Sequence, residues 1–227
     1  MEDEFIYWPH PTPAGIRVEE VCGMESKSGR VWEEMARQIY CENGRDGYRE
    51  IGYFSNGAPF LFGTQSRISI THTGHLFAVA SLPKTPEADL AKFAPRTAMG
   101  IDAESVGRSQ VLKVRERFLS DEELTMIPPD DLEANIIAWT AKEALYKAAM
   151  TEGIDLRRDI RLQSLPVIDR KMNLPGAPEP VIGKALINLP DSPDTPMELY
   201  TYESEGVSDN YIVTLAYSPK CAKYSRK

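Results

Sequence analysis

The sequence predicts an α+β fold of two similar halves, each an antiparallel sheet packed with one long helix. Three observations predict it. A helical stretch bearing Trp32 precedes a run of short apolar strands, and a second helical stretch bearing Trp139 precedes another such run. The two runs end alike: His75-Leu76-Phe77-Ala78-Val79-Ala80-Ser81 is loosely similar to Tyr211-Ile212-Val213-Thr214-Leu215-Ala216-Tyr217. Between the halves lies a stretch rich in proline and charge, 82–96, which reads as a surface loop or connector. The division is therefore drawn as 1–96 and 97–227.

The elements follow from pattern. Val31 to Tyr40 is amphipathic, with Val31, Trp32, Met35, Ala36, Ile39 and Tyr40 on one side. Ile51 to Phe62 reads as a hairpin turning at Asn56-Gly57. Strands are expected at Ile68 to Thr71 and Leu76 to Leu82, with the chain turning at Thr73-Gly74. A further strand carries Gly100-Ile101-Asp102-Ala103-Glu104. The Trp139 helix starts at Asp131 or Asn135 and ends near Met150, with Gly153 as its stop. Strands at Val181 to Ile187, Met197 to Tyr202 and Tyr211 to Tyr217 complete the second half.

Composition narrows the class. A chain of 227 residues with 42% hydrophobic content can bury one or two cores. No run approaches the roughly 20 apolar residues that cross a bilayer as a helix. The opening Met1-Glu2-Asp3-Glu4 is acidic, unlike the basic start of a secretory signal. The 3 cysteines are far apart and odd in number, which argues against a disulfide framework or a zinc site and for a reduced cytoplasm. A net charge of −8 disfavours general binding to nucleic acid.

Two segments carry the chemistry. In a strand, Met99, Ile101 and Ala103 face one way and Gly100, Asp102 and Glu104 the other. Two carboxylates so close repel unless a cation joins them, and Mg²⁺ prefers such oxygen ligands. In Trp139-Thr140-Ala141-Lys142-Glu143-Ala144-Leu145-Tyr146-Lys147, one helix offers a third carboxylate and two ammonium groups. Three acids for a hard cation and two lysines for phosphate point to chemistry on a polyphosphate. Each segment alone also has an ordinary reading: an acidic solvated strand face, and a stabilising Glu143–Lys147 surface pair.

The joint pattern resembles the 4'-phosphopantetheinyl transferase superfamily. The resemblance rests on G-I-D-x-E at Gly100, F-x-S-x-x-E at Phe118-Leu119-Ser120-Asp121-Glu122-Glu123, and W-x-x-K-E-A-x-x-K at Trp139. A fourth element, Ile68-Ser69-Ile70-Thr71-His72-Thr73, is similar to the family's I-S-H-S segment and lies in the expected order. The length and paired halves fit the pseudo-dimeric, surfactin-synthetase-activating branch, a monomer with an internal pseudo-two-fold. Coenzyme A would then lie between the halves, its nucleotide toward the first and its metal toward the second.

The resemblance implies transfer of the 4'-phosphopantetheine arm of coenzyme A to a serine of an apo acyl or peptidyl carrier protein, as in fatty acid biosynthesis. The by-product is adenosine 3',5'-bisphosphate. It implies Mg²⁺, or Mn²⁺, on Asp102, Glu104 and Glu143. Glu143 is expected as the base, directly or through a metal-bound water, and Lys147 and Lys142 as phosphate ligands. His72 would contact coenzyme A phosphates, although unbroken strand parity groups it with Ile68 and Ile70 and so with the core. Arg30 is the candidate for the adenosine end. The family's G-K-P is absent: Asn56-Gly57-Ala58-Pro59 lacks the lysine. The basic segment from Gly107 to Phe118, with Arg108, Lys113, Arg115 and Arg117, reads either as a solvated basic helix face or as a docking face for the carrier, with Val111, Leu112 and Val114 adding apolar contact. The alternatives are a non-catalytic carrier-binding homologue and a metal-dependent pyrophosphate hydrolase.

Overall fold

A computed structural model of the chain describes residues 6–10, 12, 16–22, 51–53, 57–61, 66–82, 99–170, 179–188, 194–206 and 209–219. Arg30 and the Val31 to Tyr40 helix lie outside them, as does most of the 82–96 connector. Among the described residues there are eleven strands: β1 (Ile6–His10), β2 (Arg17–Cys22), β3 (Ile51–Tyr53), β4 (Pro59–Leu61), β5 (Ser66–Thr73), β6 (Leu76–Ser81), β7 (Met99–Ser105), β8 (Ile160–Ser164), β9 (Gly183–Ile187), β10 (Thr195–Glu205) and β11 (Asn210–Tyr217). Three helices lie between β7 and β8: α1 (Gln110–Phe118), α2 (Asp121–Met126) and α3 (Leu132–Ala149).

The strands make two antiparallel sheets, ordered β1-β2-β6-β5-β4-β3 and β7-β11-β10-β9-β8. With β1 set aside, the first sheet runs β2-β6-β5-β4-β3, and the second repeats that connectivity strand for strand. The similar run ends, β6 and β11, therefore hold the same place in the two orders. Their matched residues nonetheless face opposite ways. Leu76, Ala78 and Ala80 join the core between the sheets, whereas Ile212 and Ala216 join the core beneath α3. An offset of one residue reverses every side chain in a strand, so the similarity as read from sequence is one residue out of register.

The layers follow from alternation. Val18, Leu76, Ala78 and Ala80 pack against Met99, Ile101, Ala103, Tyr200, Tyr202, Val213 and Leu215, joining sheet to sheet. The opposite face of the second sheet, with Met197, Leu199, Ile212 and Ala216, packs on Ile136, Ala141, Ala144, Leu145 and Ala148 of α3. A buried chain of hydroxyls links helix to sheet: Thr140 to Thr214 at 2.7 Å and Thr214 to Thr201 at 2.9 Å.

Local signals set the ends. Asp131 caps α3, accepting from the Ala134 amide at 2.9 Å. The left-handed residue at the other end is Met150, with φ of 51°, and not Gly153, which turns three residues later. β1, β2 and β8 had no expected strand. β2 carries Glu19 and Glu20, both buried, and acidic residues disguise a buried strand. β8 alternates buried Ile160 and Leu162 with exposed Arg161 and Gln163.

Candidate active site

The site forms where the edge strand β7 lies between α3 and β5. Gly100 makes the close approach possible. A Cβ there would lie 2.0 Å from the Ala144 carbonyl oxygen and 2.7 Å from the Ala148 nitrogen. Only a glycine lets the strand sit so close that the last turn of α3 reaches Asp102. Lys147 then donates to Asp102 Oδ1 at 2.8 Å and to the Ile101 carbonyl at 3.0 Å.

β7 is an edge strand, and its outward amides are met by hydroxyls of β5. Ser69 Oγ accepts from the Ile101 amide at 3.0 Å, and Thr71 Oγ1 accepts from the Ala103 amide at 3.2 Å. Thr71 also donates to Asp102 Oδ1 at 3.1 Å, and Thr73 donates to Glu104 Oε1 at 3.3 Å. Glu104 Oε1 receives the Ser105 amide as well, at 3.1 Å, while its Oε2 pairs with Arg108. Asp102 and Glu104 are thus each matched to a separate cationic side chain.

The electrostatics tie the group together. Burial pushes the Glu143 carboxyl up, and the Asp102 charge pushes it further, against the pull of Lys147. Glu104 is raised by burial and by Asp102, opposed by Arg108 and the Ser105 amide. His72 is lowered by burial and then by Lys147, with Asp102 acting the other way. So Asp102, Glu104, Glu143, Lys147 and His72 share one field. β5 runs unbroken to Thr73, yet His72 near its end is exposed and not part of the core that unbroken parity implied.

Lys142 does not join them. Its ammonium is fully buried and donates to the carbonyls of Leu156 at 2.8 Å and Ile160 at 2.6 Å, and it pairs with Glu123 at 2.7 Å. The expected phosphate contact from Lys142 is corrected accordingly: helix periodicity turns adjacent residues about 100° apart, so Glu143 facing the site sends Lys142 inward. The F-x-S-x-x-E element is explained by the same contacts. Ser120 and Glu123 form a reciprocal cap on α2, at 3.3 Å and 2.7 Å, and Glu123 also accepts the Leu162 amide at 2.6 Å. Phe118 packs edge-on against Trp139 with ring centres 5.0 Å apart.

The basic segment is divided similarly. Val111 is buried in the core, with Leu112 and Val114 packed against it. Arg115 is tied to Asn135 Oδ1 at 3.0 Å and to the Ile127 carbonyl. Lys113 and Arg117 remain exposed.

Residues 98–180 match the model of the 4'-phosphopantetheinyl transferase superfamily. That span holds Asp102, Glu104, Glu143 and Lys147, all three helices and β8, and leaves out His72 and the first sheet. No curated protein matches the chain.

Among the described residues, no three His, Cys, Asp or Glu side chains converge closely enough to hold an ion as they stand. The donor chemistry fits a hard cation all the same. All three acids offer oxygen, and the charge on Asp102 raises both Glu104 and Glu143, a penalty that a divalent cation would remove. Sequence reasoning missed the hydroxyls of Ser69, Thr71 and Thr73, although their spacing of two marks one strand face.

Proposed function

We propose that this chain transfers the 4'-phosphopantetheine arm of coenzyme A to a serine of an apo carrier protein. The observation that carries the reading is the contact of Lys147 with Asp102 at 2.8 Å, which joins the acidic strand to the helix of Glu143 within the matched span. The serine oxygen attacks the pyrophosphate phosphorus that bears the pantetheine arm. The bridging P–O bond breaks, and adenosine 3',5'-bisphosphate leaves. Such transfer depends on positioning and charge neutralisation more than on covalent catalysis.

Each residue has a role in that step. Glu143 takes the serine proton as the general base. Lys147 meets a phosphate oxygen as a point charge. His72, at the open end of β5, contacts a second phosphate. Asp102, Glu104 and Glu143 would hold Mg²⁺ or Mn²⁺, which neutralises pyrophosphate charge when bound. Exposed Lys113 and Arg117 offer the carrier an acid-binding face.

The shared strand order supports a pseudo-two-fold between the halves, and with it the surfactin-synthetase-activating branch. On this reading the protein is a cytoplasmic monomer with coenzyme A between its halves. No helix of the described residues is long and apolar enough to cross a membrane.

The test is the intact mass of apo acyl and peptidyl carrier proteins after incubation with this chain, coenzyme A and Mg²⁺, with and without chelator. A metal-dependent gain of one phosphopantetheine arm is expected. Coenzyme A cleaved without a carrier would indicate a hydrolase, and carrier bound but unmodified would indicate a non-catalytic homologue.

A further inference from the structure

Asp102 and Glu104 are held in the same way by groups from the other sheet. On Asp102, the described donors Thr71 and Lys147 both go to Oδ1. Among the described residues none reaches Oδ2. On Glu104, Thr73 and the Ser105 amide go to Oε1, and the half-exposed Arg108 goes to Oε2. Each carboxylate therefore has one oxygen tied to β5, while the other has no described donor on Asp102 and pairs with Arg108 on Glu104. Thr71 is itself fixed, because its oxygen accepts the Ala103 amide while its proton goes to Asp102.

We infer that Thr71 and Thr73 are positioning residues for the acidic site: hydroxyls of the first sheet that set which oxygens of Asp102 and Glu104 face a bound cation. This rests on the reading of those carboxylates as a cation site. A ligand carboxylate that is hydrogen-bonded on one oxygen loses rotational freedom and presents the other, and removing such partners typically lowers metal affinity about 10- to 100-fold. The stripe supplies its own control. Ser69, two residues before Thr71 on the same face, bonds the β7 backbone and touches neither carboxylate.

The experiment titrates Mn²⁺ into the full chain with coenzyme A present and follows quenching of tryptophan fluorescence. Trp139 lies one turn before Glu143 on α3. Thr71→Val and Thr73→Val should each weaken Mn²⁺ binding about 10-fold, and Thr71→Ser and Thr73→Ser should restore most of it. Ser69→Ala should lower the urea midpoint and leave Mn²⁺ affinity unchanged. Thr73 accepts no described backbone amide, so its variant keeps the test open where Thr71→Val fails to fold. Titrations of Thr71→Val and Thr73→Val that superimpose on wild type would overturn the inference alone. A wild-type chain with no saturable Mn²⁺ response would overturn the cation site as well.

Discussion

Two junctions join the sheets, and each pairs hydroxyls with acid. At the first, Thr71 and Thr73 of β5 meet Asp102 and Glu104 of β7. At the second, Tyr202 and Ser204 of β10 meet Glu20 of β2, Tyr202 on one oxygen and Ser204 on the other at 2.7 Å. β5 and β10 hold the same place in the repeated strand order, as do β2 and β7. The outcome differs. Glu20 is 1% exposed and takes a hydroxyl on each oxygen, and it locks the sheets together. Asp102 keeps Lys147 and one oxygen with no described donor, and Glu104 keeps the surface cation Arg108 on its second oxygen. Glu20, held on both oxygens by buried hydroxyls, serves packing, whereas Asp102, bonded through a single oxygen, remains available to a ligand.

The largest expected difference separates the two junctions in function. Asp102→Asn should lower transfer about 10²- to 10³-fold while moving stability by less than about 1 kcal/mol. Glu20→Gln should do the reverse, costing about 1–3 kcal/mol and leaving transfer within a few-fold. Urea unfolding beside a transfer assay reads both. Equal loss of activity in the two variants would erase the contrast.

Next comes the approach of α3. Gly100→Ala places a methyl 2.0 Å from the Ala144 carbonyl, so strand and helix must part. A loss of about 3 kcal/mol or more is expected, with transfer abolished even where the protein folds. Normal activity would show that Lys147 reaches its place without that contact. On the same helix, Lys142→Met strands the Glu123 carboxylate and should cost about 3–5 kcal/mol.

Arg108 gives a smaller effect of opposite sign. It pairs with Glu104 Oε2, so Arg108→Ala should raise Mn²⁺ affinity several-fold in a fluorescence titration. Unchanged or weaker binding would mean that the pair does not compete with a cation.

The smallest effect lies in pH. In metal-free protein Glu143 and Glu104 are raised above 4.5, so their charged forms oppose folding at neutral pH. That opposition fades as pH falls from their raised values toward 4.5, and stability should rise across that window. Glu203 behaves oppositely. Asn210 and Arg170 hold it below 4.5, so its contribution is present above 4.5 and is lost as pH falls below. Thermal unfolding of Glu143→Gln should show a weaker rise than wild type, and Glu203→Gln a shallower acid loss.

Much of this was legible in the residues. Alternation placed Met99, Ile101 and Ala103 in a core and Asp102 and Glu104 opposite, and helix spacing set Glu143 and Lys147 on one face of α3. The pair Asn56-Gly57 reads as a hairpin turn, and among the described residues β3 and β4 pair antiparallel, with Gly57 at φ of 79°. Local rules suffice there because strand and helix periods are properties of the backbone. Lys142 illustrates where they stop. The sequence makes it a lysine beside a catalytic candidate, but which oxygens surround it depends on Leu156, Ile160 and Glu123 arriving from three other segments.

The sequence by itself determined the chemistry available: three carboxylates, a lysine and a histidine in motifs of recognisable spacing, and a glycine at the start of the acidic strand. The tertiary structure decided which of these groups meet. Arg115 is diverted to Asn135, and Thr71 finds Asp102 across a sheet junction 31 residues along the chain. Side-chain type and period are local, whereas a hydrogen bond between two sheets exists only once both have folded and packed.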